Sequence, residues 1–372
     1  MKAIFRVIAV VMAIALTGCG SSNKLAQVGL VYVVGQGTNN IQGFSEKSDG
    51  ELQSLSVPSF NTSPRPVSLA FTPDRNFLYV ANLTSNTVSG YTVNHTNGVL
   101  TPVGEALAPT AVGTQPISVG VDSTGHFLFV LNQGNGTAGS SSISIFAIDT
   151  TRGILTGTAG TPAVPDNPQY MLVSPASPIV YVVAGSPSTI SVYGIGPNGG
   201  LTASPASNFT GPAGSNITSI TVDPKGQFMY ATDLGNNNVI SLSIAASTSA
   251  LAPVAGSPFT AGTGPNAVAV DPSGALVYVS NKGSNDVSAF NSKAGVLTQV
   301  TGSPYTTQGS GTVAGTAPGF LTVDANGTFL FVCNTATNGV ASFGINPDGT
   351  LAPVPNSPFG LGISPLWIVT SK

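Results

Sequence analysis

Charge is the scarcest property of this chain. Of its 372 residues only 7% are charged, 14 acidic against 11 basic, for a formal charge of −3. An average soluble domain carries about a quarter. There is no basic stripe, which excludes the electrostatic footprint of a nucleic-acid binder. Histidine is nearly absent: His95 and His126 are the only two. A Ser/His/Asp triad or an imidazole-rich metal site therefore has few places to form. Two cysteines cannot build a disulfide framework. No Asp-x-Asp-x-Asp run gathers the oxygens that calcium needs, and no cofactor is implied. Gly35-Gln36-Gly37 is not followed by a helical pattern, so it is no dinucleotide fingerprint.

Turn-formers and apolar residues fill that space. There are 45 glycines and 28 prolines spread along the chain, which excludes a helical protein or a coiled coil. The 41% apolar share is ample for a core. The one long apolar run, Val7 to Leu16, follows Lys2 and Arg6 and is short for a membrane span. It ends in Leu16-Thr17-Gly18-Cys19, which resembles a bacterial lipobox cleaved before Cys19. That resemblance implies a signal peptide over residues 1–18. Residues 19–28 follow as a lipidated Cys19 and flexible tether, and residues 29–372 form the folded body. The expected location is extracytoplasmic, lipid-anchored to a bacterial membrane. Gly20 after the cysteine implies the outer membrane under the usual sorting rule. Cys333, in an apolar flank, is expected to be a buried thiol with no partner.

Internal repetition dominates the body. An apolar-aromatic-apolar signature recurs around Tyr32, Tyr79, Phe129, Tyr181, Tyr230, Tyr278 and Phe331, at intervals of about 50 residues. Each full unit reads as four short strands with turn signals between them. In one unit these are Val67–Phe71, Phe77–Ala81, Thr87–Val93 and Val99–Val103. The unit at Pro265 repeats them as Ala267–Val270, Leu276–Ser280, Val287–Phe290 and Val296–Val300. Four-stranded units arranged radially make an all-β, seven-bladed propeller of antiparallel blades. The first unit lacks an inner strand, and Pro365 to Val369 is an inner strand with no blade after it. The C-terminal strand is thus expected to complete the N-terminal blade and hide both sheet edges. A ring so closed has no edge demanding a partner, so the expected state is a monomer. Inner strands carry small residues at a repeated position (Ser68, Ser118, Ala267), broken by Tyr170, Phe320 and Trp367. Packing between blades is the preferred role for those three.

The repeats also resemble a known family. Asp271-Pro272-Ser273-Gly274 precedes Tyr278-Val279-Ser280-Asn281, and Asp122 to Gly125 and Asp324 to Gly327 match the turn. The tails Gly256-Ser257-Pro258-Phe259, Gly302-Ser303-Pro304-Tyr305 and Asn356-Ser357-Pro358-Phe359 complete the pattern. The body resembles the lactonase-like seven-bladed propellers, which include 6-phosphogluconolactonases and muconate-lactonizing enzymes. Surface proteins with Tyr-Val-Thr-Asn repeats are similar in their repeats. The resemblance implies the fold and, for activity, lactone chemistry by a cluster of His, Arg and carboxylate in a channel mouth.

Topology sorts the polar residues by face. Turns between the first two strands and hairpins between the last two lie at one end, here the lower. The remaining loops build the upper mouth, where ligands of propellers gather. The repeated Asp122, Asp223, Asp271 and Asp324 fall in lower turns, where Asp accepts turn amides, as do Asp49, Asp149 and Asp348 in hairpins. Asn82, Asn132, Asn281 and Asn334, with Asp233 as a variant, are expected to cap the upper loops. Both histidines map to the lower face. The upper mouth keeps Arg65, Gln115, Asp166, Asn167 and Asn266 before inner strands, and Asp233, Lys282 and Asp286 in loops after second strands. Arg65, Gln115, Asp166, Asn167, Asp233, Lys282 and Asp286 are the candidate ligand-binding residues.

Two functions follow. One is a lipid-anchored, non-enzymatic scaffold that presents the upper loops to a protein, peptide or carbohydrate; composition and histidine placement favour it. The alternative is a hydrolase of sugar or small organic lactones, with Arg65 on the oxyanion and Asp166 as base.

Overall fold

The computed structural model describes residues 26–104, 110–158, 162, 164–185, 187–308 and 316–371. Seven antiparallel sheets surround a central channel. In blade 2 the strands from the channel outward are Pro66–Phe71, Phe77–Asn82, Thr87–Val93 and Leu100–Pro102. The expected strand positions hold to within a residue or two, except that the third strand of blade 6 runs on to Lys293. Blade 6 repeats the plan with Pro265–Val270, Leu276–Asn281, Asp286–Lys293 and Val296–Gln299. The described strands contain no α-helix, only one short 3-10 turn at Pro205–Ser207.

Blade 1 is closed as expected. Ser364–Thr370 is its inner strand, paired antiparallel with Gln27–Gln36 through Tyr32 opposite Val369 and Val34 opposite Trp367. Ser371 and Leu30 extend the join, with Ser371 N–H donating to the Leu30 carbonyl at 2.8 Å. The chain ends thus pair with each other and leave neither edge open.

One feature of the outer edge was not expected. In five blades the outermost strand is broken, and a two-residue piece pairs further along the third strand: Thr110–Ala111, Phe209–Thr210, Phe259–Thr260, Tyr305–Thr306 and Phe359–Gly360. The Gly-Ser-Pro tails fill this break. Ser257, Ser303 and Ser357 use their hydroxyls to accept the N–H of Ser241, Ala289 and Ser342, at 3.0, 2.9 and 2.8 Å. A side-chain oxygen replaces the absent ladder carbonyl, as buried backbone donors require.

Second strands such as Phe77–Asn82 and Leu276–Asn281 are buried at every position. They are covered by a neighbouring blade on each face, so they read as continuous apolar runs rather than alternating ones. Their tyrosines also latch the blades together. Tyr32 donates to the Gly98 carbonyl at 2.7 Å and Tyr79 to that of Gly153 at 2.8 Å, each in the outer hairpin of the next blade. Blade 7 has Phe331 there, and Ser342 supplies the bond instead, to the Gly50 carbonyl at 2.9 Å. Gly349 shows why glycine serves these hairpins: its φ is +83°, and a Cβ would come 2.6 Å from Leu276 of the adjoining blade.

The three bulky inner-strand residues correct an expectation. Tyr170 of blade 4, Phe320 of blade 7 and Trp367 of blade 1 stack on one another, with ring centroids 3.8 Å apart for Phe320–Trp367 and 5.9 Å for Tyr170–Trp367. Blades 1 and 4 are not neighbours, so the contact spans the channel axis. Packing between adjacent blades describes Phe320 on Trp367 but not Tyr170 on Trp367; the rings fill the middle of the channel. Burial pushes the Tyr170 hydroxyl up to about 12 despite the Ser219 side chain beside it.

Candidate functional site

The lower turns are held by their acids. Asp271 accepts Leu276 N–H at 2.7 Å and Ser273 N–H at 3.1 Å. Asp122, Asp223 and Asp324 do the same for Phe127, Phe228 and Phe329 at 2.7, 2.6 and 2.7 Å. His95 and His126 also lie on this face, next to Asn76 and Thr124 at 3.2 and 2.8 Å. Cys333 is a free, buried thiol, and burial raises its pKa. Among the described residues, no group of three His, Cys, Asp or Glu side chains converges as a metal site would.

The upper loops share one backbone device. The residue ahead of the inner strand adopts the left-handed region: Arg65 at φ 59°, Gln115 at 54°, Asn167 at 55°, Gly264 at 66° and Ala317 at 45°. An asparagine from the adjoining loop holds the N–H of four of them. Asn39, Asn86, Asn237 and Asn285 accept from Arg65, Gln115, Gly264 and Ala317 at 3.2, 2.8, 2.8 and 2.9 Å. The carbonyl of Arg65 is taken by Leu83 N–H at 2.8 Å. With the backbone pinned from both sides, the side chain stands exposed on the rim. Blades 2, 3 and 4 thus present Arg65, Gln115 and Asn167 in succession, whereas blades 6 and 7 present Gly264 and Ala317.

An open upper cavity of about 780 Å³ sits at the closing seam. Arg65 is its charged residue, faced by Gln36, Thr38, Asn39, Asn338 and Ser364. Gln115, Asp166, Asn167, Asp233, Lys282 and Asp286 do not line it. This cavity thus holds Arg65 without Asp166, the base that the sequence paired with it. Asp166 spends one carboxylate oxygen on Gly139 N–H at 2.8 Å, which pins a neighbouring loop. Asp233 ends a second strand, fully buried, rather than lying in the loop. It accepts Asn216 N–H, Gly235 N–H and Asn236 Nδ2 at 2.8, 3.1 and 2.8 Å. Asp286 begins a third strand and accepts Asn281 Nδ2 at 2.7 Å. Lys282 is exposed in its turn.

The asparagine series differs from expectation in a related way. Asn82, Asn132 and Asn281 donate mainly to hydroxyls on the third strand, Ser89, Ser144 and Ser288, at 3.0, 2.9 and 2.9 Å. They tie two strands together more than they cap loops. The residues that do organise the loops, Asn39, Asn86, Asn237 and Asn285, were missed. Their signal was an Asn at the end of each upper loop, two or more residues past the conspicuous strand motif.

The family model described as "Lactonase, 7-bladed beta-propeller" matches residues 21–116 and 105–363. A comparison with curated proteins returned no match. Among solved structures, the chain is similar to the periplasmic gluconolactonase of Pseudomonas aeruginosa, at 17% identity and TM-score 0.75, covering 92% of this chain and 98% of that one. A Bacteroides fragilis protein provisionally called a 6-phosphogluconolactonase is similar at 20% identity and TM-score 0.73, covering 92% and 97%. A Lactobacillus plantarum protein aligns at 19% and 0.71, covering 93% and 99%. At these identities the structures speak for the fold alone.

Proposed function

The chain belongs to the lactonase family of seven-bladed β-propellers, and from that premise we propose that it hydrolyses a small polyhydroxylated lactone in the upper mouth beside Arg65. The supporting observation is the cavity itself: a single guanidinium set among amide and hydroxyl side chains. Such walls suit the hydroxyls of a neutral sugar lactone, and the one cation suits its carbonyl oxygen, which gains negative charge as water adds. Water attacks the carbonyl carbon, the ring C–O bond breaks, and the ring oxygen leaves as an alcohol with a proton. The other product is a carboxylate, released with a proton and held by Arg65 until it departs. Arg65 is poised for both states because its backbone is fixed at Asn39 and Leu83.

Purified protein is to be assayed against sugar and aliphatic lactones. Arg65→Ala is expected to lower kcat/KM by about 10²-fold or more, as for loss of an oxyanion donor. Unchanged turnover in that variant would remove Arg65 from the mechanism. One observation favours the scaffold reading: among the described residues lining this cavity there is no carboxylate or imidazole to act as base. Saturable binding of sugars without turnover of any lactone would establish it instead.

The anchor is part of the same proposal. Cys19 lies outside the described residues. The strand Gln27–Gln36 enters from the lower face, so a lipid on Cys19 would leave the upper mouth turned away from the membrane. Cys19→Ser is expected to release the protein from membranes; persistent association would refute lipidation.

A further inference from the structure

The inner strand of blade 2 has an arginine at each end. Arg65 precedes it in the upper mouth, and Arg75 closes the turn after it in the lower mouth. Blades 3, 5, 6 and 7 place Gly125, Gly226, Gly274 and Gly327 at the Arg75 position, all at positive φ. Arg75 takes φ 62°, a region that a side chain disfavours. Its guanidinium folds back over the Phe71 ring, 5.3 Å from the centroid.

There it lines a second cavity, of about 540 Å³, below the aromatic stack. Leu69, Val222, Val270 and Val369 form its walls beside Phe320 and Trp367. Val270, Val369, Phe320 and Trp367 are only half-buried, so apolar surface faces solvent inside the channel. Among the described residues, the Arg75 guanidinium donates no hydrogen bond and joins no ion pair; its backbone N–H alone is used, on the Thr72 carbonyl at 2.8 Å. Burial lowers its pKa, as expected for a cation without a counterion, and it remains charged.

The nearby acids are committed elsewhere. Asp74 accepts from Thr72 and Asn76 at 2.6 and 2.7 Å. Asp271 and Asp324 also line the chamber, but their oxygens hold their own turn amides: Leu276 and Ser273 for the first, Thr328, Phe329 and Asn326 for the second. An open, mostly apolar chamber, with its two carboxylates already hydrogen-bonded and one unpaired guanidinium, selects a ligand of matching build. A sugar would leave the apolar walls unfilled, and an inorganic anion would too.

We propose that the lower mouth binds a small amphipathic monocarboxylate, an arylalkanoate or branched alkanoate. The carboxylate sits on the Arg75 fork and the apolar body lies beneath Trp367 and Phe320. This site is independent of the lactone chemistry above the stack.

Trp367 is the chain's one tryptophan, so its emission reports directly on this chamber. Phenylacetate titrated into the full chain is expected to change that emission saturably, with a matching calorimetric signal. Phenylacetamide should bind at least tenfold more weakly, since a charge-assisted bidentate pair is lost. Acetate and inorganic phosphate should give no change over the same concentrations. Arg75→Gly restores the residue used by four other blades, so it should fold, bind phenylacetate at least tenfold more weakly and leave lactone turnover unchanged. Phenylacetamide or phenethylamine binding as tightly as phenylacetate would overturn the assignment, and so would full binding by Arg75→Gly or no binding by either method. The comparison of phenylacetate with its amide in the unmodified chain does not depend on any variant. Arg65→Ala reads the other mouth, so either site can fail alone.

Discussion

Glu46 is a carboxyl group in a position built for an aliphatic side chain. It lies on the third strand of blade 1, opposite Gly29. The same site in blades 2 to 7 holds Val93, Ile148, Ile195, Ile244, Ser292 and Ile345. Glu46 is 1% exposed, and neither carboxyl oxygen has a hydrogen-bond partner. Gly29 makes the room, because a Cβ there would collide with Oε2. Burial, with a smaller push from the Asp324 charge of blade 7, raises its pKa to about 8. The folded state therefore holds this proton more tightly than the unfolded state, whose carboxyl titrates near 4.5. The stability linked to Glu46 is fully present below about pH 4.5, falls as pH rises, and is gone above about pH 8. Each pH unit of displacement corresponds to about 1.4 kcal/mol, so the loss is about 3–5 kcal/mol. Unfolding entropy of about 2.1 cal/mol/K per residue over roughly 350 residues converts this to about 4–7 °C in Tm. Thermal scans of the wild type and Glu46→Gln at pH 5, 7 and 9 check the sign. The wild type should lose those degrees across the range relative to the variant, which has no charge to bury. Parallel curves for the two proteins would refute the reasoning.

Other consequences concern the ring. Tyr79→Phe leaves the Gly153 carbonyl without its partner and should cost about 1–2 kcal/mol in urea unfolding with an unchanged m-value. Asp271→Ala leaves the turn amides of Ser273 and Leu276 unsatisfied and should cost about 1–3 kcal/mol by the same measurement, without altering lactone turnover. Truncation after Ile363 removes the inner strand of blade 1 and bares the Gln27–Gln36 edge. Light scattering should then show more association for the truncated protein than for the full chain.

The sequence by itself determined the number of blades, the strand order and the closing of the ring. Those follow from local, repeated signals: an aromatic in each second strand, Asp at the same place in four of the first turns, and an unpaired inner strand at the C-terminus. It also placed both histidines on the lower face, because a residue's place in the repeat fixes its face. What it did not decide was which rim residues meet. Arg65 and Asp166 share a face, yet the cavity at the closing seam is lined by Arg65 and not by Asp166, since their separation depends on the angle between blades 2 and 4. Arg75 went unnoticed in a turn for the same reason; its direction is set by Phe71 and by the chamber under Trp367. Stacking of Tyr170, Phe320 and Trp367 joins strands far apart in the chain. A repeat specifies each blade through near-neighbour contacts, whereas a site on the axis is made where several blades converge, and only closure of the whole ring fixes those distances.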